Sequence, residues 1–444
     1  MINTPPTDLG ALLDYGPWTS RQKLIVLLVA LTVVFDGMDI QMMGFAIPAI
    51  AKEWAMSRAS FAPVLGLGLI GITLGSVMGG LVGDRYGRRV AILLNVMIFG
   101  VATLGISFAF SEASLMVLRF IAGLGIGGAL PNAATLTAEF TPLKRRPVAI
   151  TLAIVCVPIG GLIAGLISAQ VLVLHSWRLL FVIGGLSPLV LLAFLALWLP
   201  ESPRFLAKDP LRISELRKVL QSIGRAIPSG ASIQQPTNIG SPGKSSPLSL
   251  FEPGLARDTT ALWIAFFCCL TSVYLAFNWL PSVLNAHGFS LKEASQGLAL
   301  YNFGGILGAL SFGVWISVKG SRTPLLVGAA FSVGSAALIG ILMAASTMPR
   351  GILFIAVAAH GLFVNAVQTT LYALAADMYA TRVRATGVAS ALAVGRTGGI
   401  LSAFLGGAVV NLGAPVYFEI LAAAMFGVLL ALSSMRRHIK SVSE

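Results

Sequence analysis

A chain of 444 residues in which 56% are hydrophobic and only 11% charged stands apart from soluble globular proteins, where about a quarter of residues are charged. That excludes a soluble enzyme or binding module and leaves a polytopic membrane protein. The formal net charge of +13 raises nucleic acid as a partner, but a basic balance points there only when the charge gathers on one soluble surface.

The opening stretch, MINTPPTDLGALLDYGPWTSRQK, has no basic segment running straight into an apolar core and a small-residue cleavage site, so no cleaved signal peptide is expected. Apolar runs of about 20 residues, the length of a spanning helix, then fall near 24–50, 60–82, 90–110, 114–138, 148–173 and 178–199. A second set follows near 260–284, 293–317, 324–347, 351–375, 385–411 and 415–434. The first run contains TVVFDGMDIQ (Thr32–Gln41), where Asp36 and Asp39 share one helix face at i,i+3 spacing. One ionisable side chain at mid-bilayer costs roughly 2.5–3.5 kcal/mol, and such a residue points to function by default. A carboxyl placed there can carry a proton, so Asp36 and Asp39 are the candidate proton-coupling residues. The structural alternative is that they brace the backbone near Gly37 or pair with a buried arginine.

Between the second and third runs stands Gly80-Leu-Val-Gly-Asp84-Arg85-Tyr-Gly87-Arg88-Arg89. Its glycines permit close approach of helices and loop, and Asp84 can meet a neighbouring helix N-terminus or a basic residue, which makes Gly80, Asp84, Arg85, Gly87 and Arg88 candidate gating residues. The bland reading is that the arginines only set topology. The fourth run carries Arg119, and after it come Glu139, Lys144, Arg145 and Arg146, with Glu139 and Arg145 read as gate struts that can pair. Pro200 to Asp258 is the one long hydrophilic stretch. It opens with PESPRFL, passes through a plausible amphipathic helix (Leu211–Ala226), and ends in a Gly, Pro and Ser-rich segment that reads as a flexible linker.

In the second set, Tyr274, Asn278, Trp279, Tyr301, Asn302, Asn365 and Gln368 are candidate substrate-binding residues, since a small-molecule site needs apolar walls and a few polar orienters. Each alone is more readily explained by hydrogen bonding between helices than by substrate contact. Asn365, Gln368 and Tyr372 recur at helical spacing and form one polar stripe. His360 reads as structural, and Glu419 has no evident partner. Asp377 with Arg382 and Arg384 echoes Glu139 with Lys144, Arg145 and Arg146, acid and bases at matching offsets of five and seven, which adds Asp377 and Arg384 to the candidate gating residues, while GVWISVKGSR (Gly313–Arg322) looks like a worn copy of GLVGDRYGRR, with Ser317 in place of the acid. Cys156, Cys268 and Cys269 lie in apolar runs without metal-ligand spacing, so neither a disulfide framework nor a metal is expected. No cofactor is expected either.

Of the 30 Lys and Arg residues, Arg119 and Arg396 lie inside runs, while Lys52, Arg58, Arg178, Lys292 and Arg350 lie on one side of the membrane. The rest lie on the side of both termini, which the positive-inside rule assigns to the cytoplasm. Charge spread along a membrane face argues against nucleic acid. Arg119 and Arg396 offer planar forks suited to a carboxylate, although Arg119 could instead pair with Asp36 or Asp39.

The Gly80–Arg89 run resembles the signature G-x3-D-[RK]-x-G-R-[RK] of the major facilitator superfamily. Together with DGMD, RFIAGLGIGGALP (Arg119–Pro131), PESPRFL, and the RATG and GRTGG runs (Arg384–Gly387, Gly395–Gly399), it makes almost the whole chain similar to the aromatic acid:proton symporters. The resemblance implies an all-α fold of 12 transmembrane helices in two six-helix bundles. The expected division is 1–199 for the first bundle, 200–258 for a cytoplasmic linker and 259–444 for the second. It also implies import of benzoate-like and hydroxybenzoate-like acids with protons, in a multi-pass protein of the bacterial inner membrane that acts as a monomer. A sugar or other organic-solute porter is the near alternative, and a non-transporting membrane sensor a remote one. No paired nucleophile and base suggests an enzyme.

Overall fold

The computed structural model describes residues 7–225, 233–234, 247–252, 254–345, 349–380 and 383–440. Each apolar run is a helix whose ends differ from the hydropathy bounds by a few residues. The first six are α1 (Ser20–Glu53), α2 (Ala62–Tyr86), α3 (Arg88–Ile106), α4 (Glu112–Phe140), α5 (Arg146–Leu174) and α6 (Trp177–Trp198). The second six are α7 (Ala256–Ala286), α8 (Leu291–Lys319), α9 (Arg322–Ala344), α10 (Arg350–Met378), α11 (Arg384–Val409) and α12 (Ala414–Ser434). All are long and apolar enough to span a bilayer. Reciprocal capping boxes at Thr19/Gln22, Ser111/Ser114 and Ser290/Glu293 satisfy the orphan amides that start α1, α4 and α8.

The packing pattern repeats with an offset of six helices. In the first half α1 packs on α5, α2 on α4, and α3 on α6. In the second half α7 packs on α11, α8 on α10, and α9 on α12. The halves meet through α5 against α8, α2 against α11, and α1 against α7.

Glycine sets how tightly the repeated pairs close. A Cβ on Gly127 of α4 would lie 2.0 Å from the Ile72 carbonyl oxygen of α2, and one on Gly75 would lie 2.1 Å from that of Leu124. The matching seam in the second half has the same character, with Gly304 and Gly308 of α8 at 1.9 and 2.0 Å from the Ala358 and Leu362 carbonyls of α10. Backbone rests on backbone, which no residue with a side chain allows. The RFIAGLGIGGALP run is therefore a packing surface as well as a family resemblance.

The halves touch on the face opposite the termini, called here the distal face. Arg58, which precedes α2, donates to Asn285 at the end of α7 at 2.7 Å. Gly44 of α1 abuts the Phe277 carbonyl, and Gly407 of α11 abuts Ala62 of α2. Deeper in, Gln41 of α1 and Asn302 of α8 exchange amide hydrogen bonds of 3.2 and 2.7 Å, both fully buried. The structure is closed distally.

On the termini face the amphipathic helix covers Ile213–Ser222, shorter than the sequence pattern suggests. A 3-10 turn at Pro210–Arg212 precedes it, and Gly224 at a φ of 75° turns the chain out of it. Leu216, Val219 and Leu220 are its buried face. Most of the flexible-linker segment lies outside the described residues, apart from Ile233–Gln234, which pairs in parallel with Thr7–Asp8.

Candidate functional site

Asp36 and Asp39 face different neighbours. Asp39, with no exposure, receives Thr103 Oγ1 of α3 at 2.6 Å and Arg119 Nη1 of α4 at 2.9 Å. Arg119 also donates Nη2 to the Asp39 and Ile40 carbonyls at 3.0 and 3.1 Å. This is a buried ion pair inside the first half, with one guanidinium nitrogen on the carboxylate, the other on backbone carbonyls, and the second carboxylate oxygen held by Thr103. Arg119 was a candidate for binding the ligand carboxylate, but the geometry makes it the partner of Asp39. Beside it lies a cavity of about 10 Å³, bordered by Ile40, Gly68 and Asn278, which is room for a water molecule and not for an aromatic ring.

Asp36 is buried as well, at 3% exposure, yet its Oδ1 has no hydrogen-bond partner among the described residues. Gly37, next to it, packs its backbone onto the Val157 carbonyl of α5, which fixes this turn of α1. Arg396 sits midway along α11, close enough for its charge to act on Asp36 and on the Tyr274 and Tyr372 hydroxyls. It reaches across the two halves: Nη1 donates to the Ile72 carbonyl of α2 at 3.1 Å and to Ser76 Oγ. Tyr274, Gln368, Tyr372 and Arg396 are only half-buried although they lie well inside their helices. Tyr274 rests against Gly399 and Phe277, and Tyr372 meets Phe266 edge-on at 5.5 Å. One carboxyl with a free oxygen, one guanidinium held by neutral acceptors, and two phenols thus converge from α1, α7, α10 and α11.

The remaining candidates are placed elsewhere. Trp279 is fully buried against Gly406 of α11. Tyr301 packs on His360 and Phe277 in the interior of the second half, and His360 Nδ1 contacts Ser335 Oγ at 3.0 Å. Asn365 donates to the Gly361 carbonyl one turn back. Asn302 is committed to Gln41, and Asn278 keeps an unpartnered amide nitrogen beside the small cavity. Glu419 is exposed.

At the termini face, Asp84 pairs with Arg88 of its own half and is largely exposed, while Arg85 lies over the Tyr86 ring. Gly87, at a φ of 109°, lets the Glu201 carboxylate approach, and Glu201 accepts the Arg89 amide at 3.1 Å. Gly80 is corrected: a Cβ there would meet nothing within 4 Å, so no close approach needs it. Glu139 is corrected too. It takes its hydrogen bond from Ser202 of the PESPRFL run, while Arg146 binds Asp14 and the Ala138 carbonyl, and Arg145 lies over Trp18. Asp377 is exposed, and Arg384 donates to the Tyr379 carbonyl at 3.2 Å instead of to an acid. Arg382 lies outside the described residues. Ser317 closes on its own Val314 carbonyl. Sequence reasoning passed over Gln41, Ser76, Thr103, Glu201 and Ser202. The first three carried a signal, being polar residues inside apolar runs.

The Major Facilitator Superfamily family model matches residues 29–349. The gallate transporter of Pseudomonas putida is 34% identical over 96% of this chain and 94% of its own length. The 4-hydroxybenzoate transporter PcaK of the same species is 34% identical over 91% and 90%. Among solved structures, the inward open conformation of the xylose transporter XylE from E. coli superposes with a TM-score of 0.73 at 16% identity, covering 95% of this chain and 98% of that one.

Proposed function

Since the chain belongs to the major facilitator superfamily, we propose that it is a proton-coupled symporter that imports aromatic carboxylic acids of the hydroxybenzoate and benzoate kind by alternating access. The relatives named for gallate and 4-hydroxybenzoate transport support the substrate class. One observation carries the assignment of roles: Arg119 seals Asp39, while Asp36 Oδ1 has no partner among the described residues and lies within reach of the charge of Arg396, whose hydrogen bonds among those residues go to a carbonyl and a hydroxyl of the opposite half.

Charge balance then couples the two solutes. With Asp36 ionised, the Asp36 and Arg396 charges compensate each other, and an incoming carboxylate would leave a surplus anion in a low-dielectric space. A proton on Asp36 removes that surplus and frees Arg396 for the ligand. A carboxylate is a stronger acceptor than a carbonyl or hydroxyl, so it draws the guanidinium from Ile72 and Ser76 and loosens α2 from α11. Tyr274, Tyr372 and Gln368 supply the ring walls and a polar contact. The termini face, rich in Lys and Arg, is cytoplasmic, so the distally closed structure opens inward. The bundles 1–199 and 259–444 rock about this site as a monomer in the inner membrane.

Uptake into proteoliposomes, comparing 4-hydroxybenzoate and benzoate with their amides and with xylose, tests the reading. Acids should accumulate only under an inside-alkaline pH difference, and amides and xylose not at all. Gradient-independent accumulation, or amides carried as well as acids, refutes it.

A further inference from the structure

At the termini face, away from the Asp36 and Arg396 cluster, the segment leading into α1 and the α4–α5 connection enclose an open pocket of about 620 Å³, a size typical of ligand sites. Trp18 lines it, with Lys23 Nζ and the Arg145 guanidinium each 5.8 Å from the ring centroid. Lys144 lines the same space. Asp14 is the carboxylate in the lining, and it is already engaged by Arg146 and lies 3.9 Å from Arg204. Trp18 Nε1 is buried without an acceptor among the described residues. Three cations therefore line one pocket, beside a buried unsatisfied N–H donor, where no free carboxylate stands among the described residues, an arrangement that like-charge repulsion disfavours unless an anion completes it.

We propose that this pocket binds the phosphate of an anionic phospholipid headgroup. The apolar run of α1 begins at Leu24, directly after Lys23, so the pocket lies at headgroup depth. Trp is a residue of that interface, and clustered Lys and Arg on the cytoplasmic side read as an anionic-lipid site. The phosphate sits between Lys23, Lys144 and Arg145 and accepts from Trp18 Nε1, tying the entry of α1 to the α4–α5 connection.

Native mass spectrometry of the full chain in detergent, titrated with phosphatidylglycerol, phosphatidylcholine or inorganic phosphate, tests it. Phosphatidylglycerol should bind in preference to phosphatidylcholine, and Lys23→Gln/Lys144→Gln should weaken it about 30-fold. Trp18→Phe, which keeps the ring and removes the N–H, should weaken it by a smaller factor. Lys208→Gln/Lys218→Gln, on the same face outside the pocket, should leave it unchanged. Equal melting temperatures without lipid check folding, and Lys144→Gln alone, an exposed position, serves if the double variant unfolds. Unchanged lipid binding in Lys23→Gln/Lys144→Gln, an equal loss in Lys208→Gln/Lys218→Gln, or full displacement of the lipid by equimolar inorganic phosphate overturns the proposal.

Discussion

Two aspartates three residues apart do different work because of what faces them. Asp39 has three donors aimed at its side chain or backbone carbonyl, from Thr103 and Arg119. Removing Arg119 alone should destabilise the protein by about 3–5 kcal/mol, because a buried carboxylate is left unpaired. Asp39→Asn/Arg119→Met should recover much of that stability, and denaturation of the purified variants reads the difference. Asp36→Asn should abolish accumulation driven by a pH difference while sparing substrate exchange across the membrane. Normal concentrative uptake by that variant would remove Asp36 from the coupling step. Arg396→Lys should raise the half-saturating substrate concentration, since a point charge replaces a planar fork. The candidate residues themselves were legible in the sequence, because charge inside an apolar run stands out. Their pairing was not. Thr103 is 64 residues from Asp39, and no local pattern says which of two carboxylates an arginine 80 residues from Asp39 will choose.

At the scale of helices, all twelve spans could be read from hydropathy, because a bilayer sets length and polarity at once. What hydropathy omits is how closely helices approach. The glycines of α4 look alike in sequence to Gly80, yet Gly127 is pressed on a carbonyl and Gly80 borders open space. Gly127→Ala should therefore cost about 1–3 kcal/mol by overpacking. It should also impair transport, because the Ile72 carbonyl it would push is the one that holds Arg396. Gly80→Ala should match the parent protein in melting temperature and uptake. The sequence echo between Glu139/Arg146 and Asp377/Arg384 did not become two matching ion pairs. The short connections found other partners, Ser202 and the Tyr379 carbonyl, which lie far apart in the chain or on its backbone.

For the whole molecule, the described hydrogen bonds across the midline lie distally or at mid-depth, and the termini-face motifs are satisfied within their own halves. Cysteines at Ala62 and Gly407, whose side chains would be neighbours across α2 and α11, should form a disulfide after a shift of about 1 Å toward the usual Cβ separation. Oxidation should arrest transport and reduction should restore it. Undiminished uptake by the fully cross-linked protein would show that this seam stays shut through the cycle.

Backbone-on-backbone closure of α2 on α4 and of α8 on α10 has a mechanical corollary. Flexible side chains act as springs between helices, and where these two seams close on glycine there are few to compress, so each pair tilts as a single strut. Compliance is then confined to the midline, where a handful of amide, hydroxyl and guanidinium contacts can be exchanged one at a time, and the turnover rate becomes a property of that short inventory rather than of the lipid-facing bulk.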